Sequence, residues 1–295
     1  MFSSQRARKA RKIKISEAIK VMINTNKIWF GFILLAIFGF SYSGVSAQEK
    51  DKSRREFCSN NWSNGDKVST SDLRETTVSA GDVNVDGKRN GGISIKGENR
   101  SDVLIRACVQ AWANSEAAAN SIAKSVRIET GGTIQASGGD EKNFSVSYEI
   151  LVPRNTNLNL ATRNGGIRIS NVEGAINFEA NNGGVSLSNL AGDVKGKTAN
   201  GGLHIELNGG SWKGAGLNVE TTNGGVKVEM PENYAARFET RTVNGGFRTD
   251  FAALKVERDP NNWKNGVNLS RDLNGGGATV RIVTTNGGVS INSSN

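Results

Sequence analysis

The 295-residue chain is poor in the residues on which most catalytic and metal centres draw, with 1 His, 2 Cys, 3 Pro and only 6% aromatics. The single imidazole, His204, leaves Ser-His-Asp catalysis one candidate base, and no GxSxG elbow accompanies it. Two sulfurs and one imidazole are also too few for a structural zinc site. The patterns GxGxxG and GxxxxGK[ST] are missing, which excludes the familiar phosphate loops. No Asp follows the Gly-Gly pairs in NGGIRIS and NGGVSLS, which excludes the Gly- and Asp-rich calcium repeats. What is abundant is Gly, at 36 residues, together with Asn, Ser and Thr. That mixture fits many short strands joined by tight turns.

The formal net charge of +9 is unevenly placed. Residues 1–47 hold eight Lys or Arg and one acid, Glu17, for +7. The rest then has 37 less 8, or 29, basic residues against 28 less 1, or 27, acidic ones, a surplus of 2. A body so close to neutral has no electrostatic case for nucleic acid, and none is expected as a partner.

The basic head runs into the apolar segment Ile28 to Phe40 and then SYSGVSAQ. Small residues in Val45-Ser46-Ala47 complete the pattern of a secretory signal over 1–47, with cleavage expected between Ala47 and Gln48. An uncleaved anchor is the competing reading, but 13 apolar residues fall short of the roughly 20 that span a bilayer. No stable membrane span is therefore expected after cleavage. Met22 offers an alternative start that leaves an ordinary short head, MINTNK. In an exported chain Cys58 and Cys108 read as one disulfide across about 50 residues, with two buried thiols as the alternative.

The main organisation is a repeat. Asn-Gly-Gly followed by an apolar residue begins at Asn90 and, later in the chain, at Asn164, Asn182, Asn200, Asn223, Asn244 and Asn286, with a degenerate NGVNL at Asn265. From Asn164 onward the steps are 18, 18, 23, 21, 21 and 21, a solenoid period. Apolar columns stand three places after the Asn (Ile167, Val185, Leu203, Val226, Phe247, Val289) and five places after it (Ile169, Leu187, Ile205, Val228, Ile291, with Thr249 breaking the column). Between them an outward column reads Arg168, Ser186, His204, Lys227, Arg248 and Ser290. Six places before the Asn lies a third apolar column from Leu158 to Val280, and two places before it a Thr column interrupted by Ala180. The Asn-Gly-Gly itself reads as a corner requiring left-handed backbone angles, which Gly takes freely and Asn tolerates. An antiparallel meander is the competing arrangement, because Asn-Gly is also a hairpin signal. Fixed columns at a fixed period favour stacked coils.

Residues 48–150 differ: strands in TTVSAGDVNVDG, NGGISIKG and Val103 to Ala113, a Ser-capped helix over Ser115 to Lys124, then strands to FSVSYEILVP. Such a region would cap the first coil. The expected organisation is signal 1–47, capping strands and helix 48–150, and repeats 151–295, with 70–150 continuous with the repeats.

A signal peptide, NGGISIKG, the helix-bearing insert, SVSYEILVP, and then NGGIRISNVEG, NGGVSLSNLAG and TTNGGVKV resemble a bacterial putative-adhesin family of exported proteins, over about residues 70–293. The resemblance implies a parallel β-solenoid and supplies no catalytic residues. With the repeats it gives an all-β fold: a β-helix-like parallel solenoid of about seven coils with an N-terminal cap bearing one short helix.

The functional expectation is a non-enzymatic module of the cell envelope or surface, without cofactor or metal, that meets a polymer or protein through its regular face. Candidate contacts are the outward Arg168, Lys227 and Arg248 and the loop residues Trp212 and Trp263, although anchoring over the core is the commoner use of a loop Trp. His204 is expected to be a solvated face residue without acids at ligand spacing, and the carboxylates Asp193, Glu206, Glu220, Glu229, Glu239 and Asp250 read as scattered. Two rivals stand: a polysaccharide-active enzyme on the same scaffold, and a structural or stress-sensing periplasmic domain that self-associates edge to edge through a bare terminal coil, VSINSSN.

Overall fold

The computed structural model describes residues 56–59, 66–256 and 266–294. The basic head, the apolar run, the Ala47–Gln48 cleavage point, Trp263 and Asn265 lie outside the described residues. Strands dominate and form two ten-stranded mixed sheets.

Each repeat supplies one strand to each sheet, with its Asn-Gly-Gly at the crossing. In the first four, β8 (Leu158–Asn164), β10 (Glu173–Asn182), β12 (Ala191–Asn200) and β14 (Gly216–Asn223) lie side by side in one sheet. Their continuations β9 (Ile167–Ser170), β11 (Val185–Ser188), β13 (Leu203–Glu206) and β15 (Val226–Met230) lie side by side in the other. All these neighbours pair parallel and in column register: Ile167, Val185, Leu203 and Val226 align, as do Leu158, Ile176, Val194 and Leu217. The inward columns of both sheets meet in a single hydrophobic core, where these residues are at most 2% exposed. Size is complementary along a column: the ring of Phe178 occupies the space a Cβ on Gly196 would need in the next strand.

Spatial order departs from sequence order at both ends. Near the C-terminus, β19 (Thr279–Asn286) lies between β14 and β16 (Ala236–Asn244), and β20 (Val289–Ser293) lies between β15 and β17 (Phe247–Thr249). The near-identical segments TTNGGVKV and TTNGGVSI are thus direct neighbours, with Thr221 against Thr284, Asn223 against Asn286 and Val226 against Val289. Two expectations are corrected. VSINSSN is not a bare edge, because β20 is paired on both sides. The segment after Asn265 is no coil: β18 (Val267–Leu273) pairs antiparallel with β16 and ends that sheet.

At the other end, β2 (Val83–Asp86) and β3 (Ile93–Glu98) pair parallel with β8 and β9. The later strands β6 (Thr133–Ser137) and β7 (Phe144–Pro153) pack outside them. Beyond β7 the pairing turns antiparallel, with β4 (Asp102–Ala113) and then β1 (Val68–Ser79) at the edge, while β5 (Arg127–Glu129) ends the second sheet. The helix α1 (Glu116–Ser125) is capped by Ser115, whose side chain accepts from the Ala118 amide. The Arg74 guanidinium donates to the carbonyls of Ala123, at 2.7 Å, and Val126, holding the helix end to β1. The expected Cys58–Cys108 disulfide is present and ties the segment around Cys58 to β4.

The corners hold a further correction. The Asn and Gly residues at Asn164, Asn182, Asn200, Asn223, Asn244 and Asn286 do not take positive φ. Their selection has two other causes. The Asn side chains form a continuous amide ladder, each Nδ2 donating to the Oδ1 of the rung before it in space: Asn164 to Asn90, Asn182 to Asn164, Asn200 to Asn182, Asn223 to Asn200, Asn286 to Asn223 and Asn244 to Asn286, at 2.8–3.1 Å. The first Gly of each corner lies so close to its neighbour that a Cβ would fall within 3.0 Å of the carbonyl oxygen of the adjacent rung, as for Gly183 against Gly165 and Gly201 against Gly183. Five of those carbonyls accept from the Thr column. Thr162, Thr198, Thr221, Thr284 and Thr242 donate their hydroxyls to Gly91, Gly183, Gly201, Gly224 and Gly287 at 2.6–2.8 Å. Left-handed backbone is used elsewhere, at Asn171 and Asn189 after β9 and β11, and in the Asn274 to Gly277 turn.

Candidate functional site

Period-two alternation turns every second side chain of each sheet away from the core, and parallel registered pairing sets equivalent side chains side by side at the strand spacing of about 4.8 Å. On the sheet containing β9 the outward column runs Ser94, Arg168, Ser186, His204, Lys227, Ser290 and Arg248 in space. Arg168, Lys227 and Arg248 are exposed but separated by smaller residues, so they do not form one cationic patch. Lys227 is bound to Glu229 on its own strand. Among the described residues, Arg168 and Arg248 have no carboxylate within salt-bridge distance.

A second outward column, six places after each Asn, runs Lys96, Ser170, Ser188, Glu206, Glu229 and Asn292. Here the expectation of scattered acids fails: Glu206 and Glu229 are register partners on neighbouring strands. The expectation of an isolated His204 fails as well. Its Nε2 lies 3.1 Å from Oε1 of Glu206, two residues along the same face, and 3.9 Å from Oε2 of Glu229. The signal was present in the repeat as a fixed offset from each Asn. Along the chain Glu206 and Glu229 stand 23 residues apart, and only alignment across rungs brings them together.

The bond to Lys227, assisted by the charges of Lys227 and His204, holds the Glu229 carboxyl below its ordinary range. Its ionised form is therefore favoured in the folded chain. The stability this adds is present above the ordinary Glu range and is lost as pH falls through the lowered value.

On the opposite sheet, Asn159, Asn177, Lys195, Lys197, Asn218 and Glu220 line an open groove of about 360 Å³ whose floor includes Phe178 and Gly196. Trp212 is not available to a ligand: it is 8% exposed and donates its indole N–H to the Gly192 carbonyl at 3.0 Å. It anchors the long loop between β13 and β14. Arg168, Lys227 and Arg248 share one column; Trp212 lies apart from them. Among the described residues no helix is long and apolar enough to cross a membrane.

A mostly β, solenoid-like body with registered polar columns on its faces defines the class. The chain belongs to the Toastrack DUF4097 family, whose model matches residues 67–292. Solved structures are similar to it, three of them as follows. One is described as a putative cell adhesion protein from Clostridium sporogenes, at 13% identity and a TM-score of 0.40, covering 76% of this chain and 100% of that one. Another is a putative adhesin from Bacteroides fragilis, at 11% identity and a TM-score of 0.26, covering 76% and 97%. The third is a putative lipid binding protein from Parabacteroides distasonis, at 9% identity and a TM-score of 0.28, covering 76% and 97%. No curated protein matches the chain.

Proposed function

We propose that this protein is an exported, adhesin-like interaction module of the cell envelope that works without catalysis. We infer also that its repeats build a parallel β-solenoid, each of the seven asparagines in the amide ladder marking one coil. The observation that carries the functional reading is the registered outward face, with the exposed cations Arg168 and Arg248 set among Ser186, His204, Lys227 and Ser290 at strand spacing. Repetition suits a partner that is itself repetitive, such as an envelope polymer or a protein surface, because many weak contacts multiply. The disulfide supports export, since oxidised pairs persist outside the cytosol.

The test is binding of the purified chain to envelope polysaccharides and peptidoglycan, with Arg168→Ala, Lys227→Ala and Arg248→Ala alone and combined. Avidity predicts small single losses and a multiplicative combined loss. Equal binding by the triple variant sinks the face assignment, and release of reducing ends from the polymers sinks the non-catalytic reading. Labelling of intact cells with an impermeant reagent separates surface display from periplasmic residence.

A further inference from the structure

We propose that His204, Glu206 and Glu229 form a binding site for a borderline divalent transition metal, of which Zn²⁺ is the representative. Three features of the fold produce it. His204 and Glu206 are two residues apart on β13, so period-two alternation sends both outward. Glu229 is the register partner of Glu206 on β15, so parallel pairing brings its carboxylate alongside. One nitrogen and two oxygen donors then lie within 4.8 Å of one another, with the closest pair 3.1 Å apart.

Such a triangle is close to what a single ion needs. Zinc bonds of about 2.0–2.2 Å to nitrogen and oxygen place neighbouring donors about 3–3.5 Å apart. The His204–Glu206 pair already meets that spacing, Glu229 must close on His204 from 3.9 Å by less than an ångström, and its carboxylate starts within 4.8 Å of that of Glu206. All three side chains are partly exposed, at 35%, 44% and 30%, so small rotations meet little resistance. The donors come from one face only and leave the outward side open for water or for a partner's ligand.

The remaining groups at the site are consistent with this use. Lys227, beside His204 on β15, is bound to Oε1 of Glu229, while Oε2 is the oxygen turned to His204. The ammonium thus orients the carboxylate without occupying the donor atom. On the other side stand Ser186 and Ser188 of β11, which are uncharged. Beyond β15 come Ser290 and Asn292, also uncharged, whose side chains bond to each other. The imidazole selects the metal class: Ca²⁺ and Mg²⁺ prefer all-oxygen sites, whereas His with carboxylates suits zinc and its neighbours.

The test is titration of the chelator-stripped purified chain with Zn²⁺, followed by calorimetry and native mass spectrometry. One Zn²⁺ per chain is expected, with affinity falling about tenfold or more in His204→Ala, and likewise in Glu206→Gln and Glu229→Gln. Circular dichroism checks that each variant remains folded, and Arg168→Ala serves as a control on the same face that should bind zinc normally. Failure to bind Zn²⁺ at one ion per chain overturns the proposal, as does binding that survives His204→Ala. Displacement of the ion by millimolar Ca²⁺ overturns the assignment of metal class. None of these outcomes depends on whether the outer face recognises a polymer.

Discussion

Between β8 and β15 the strands stack in the order in which the chain lays them down, while at each end one pair has changed places. At the N-terminal end the later pair β6 and β7 lies outside β2 and β3; at the C-terminal end the later pair β19 and β20 lies inside β16 and β17. The middle and the C-terminal end use the same local rules of amide ladder, Thr hydroxyl and close Gly-Gly approach, whereas the β6–β7 connection turns through left-handed Gly138 and Gly139. The difference shows that the repeat specifies what a rung looks like but not which rung it touches. Near-equivalent rungs compete for each place, and their small differences decide. The rung holding Phe247 and Thr249 has a half-buried Thr where its neighbours have Ile205, Val228 and the fully buried Ile291. At that end position the Thr249 hydroxyl accepts from the Phe251 amide at 3.1 Å, so the polar residue is satisfied there.

The largest effect expected is at the N-terminal end. Cys58→Ser with Cys108→Ser opens a loop of 50 residues, and chain entropy predicts a loss of about 4 kcal/mol. Urea unfolding measures the loss, and hydrogen exchange should place the loosening around β1 and β4, with β12 to β15 still protected. Uniform loosening would mean that the ends and the middle unfold as one unit.

Next is a paired substitution that contrasts the crowded first Gly of an inner corner with the open second Gly of the outermost one. In Gly201→Ala the new methyl meets the Gly183 backbone within 3.0 Å, and a loss of about 2–3 kcal/mol is expected. In Gly246→Ala the methyl meets nothing within 4 Å, so the change should be neutral or stabilising by up to about 1 kcal/mol. Equal losses at both would show that the close approach is not what selects Gly.

The amide ladder allows a finer contrast. Asn200 donates to Asn182 and accepts from Asn223, whereas Asn244 only donates, to Asn286. Asn200→Ala should cost about 1 kcal/mol and Asn244→Ala about half of that, read as midpoint shifts in urea. The smallest effect is a gain. Ala180 occupies the Thr column, its register partners being Thr162 and Thr198. Ala180→Thr should bond the Gly165 carbonyl and add about 0.5–1 kcal/mol, and thermal unfolding would reveal it.

Much of this was legible in the residues. Columns anchored on each Asn gave the strands, the buried faces, the Thr ladder and the outward column of Arg168, Lys227 and Arg248. The capped helix and the disulfide were legible too, from Ser115 followed by Glu116 and from an even pair of Cys. The word Asn-Gly-Gly was itself ambiguous. Followed by an apolar residue it is a close-packed corner with ordinary backbone; at Asn208 and Asn274 it is a left-handed turn. Composition cannot separate these, because Gly answers both the need for φ above zero and the need for no Cβ.

The sequence alone settled the content of each rung, since burial alternates with period two and equivalent positions recur at a fixed offset from Asn. Tertiary structure settled adjacency. It placed TTNGGVSI against TTNGGVKV, buried β20 between two partners, ended one sheet with β18, and set Glu229 beside Glu206 and His204. The physical reason is that in-register parallel pairing rewards the same residue class on either side, so each rung fits several neighbours locally. The choice among them rests on loop lengths and on contacts between residues far apart in the chain.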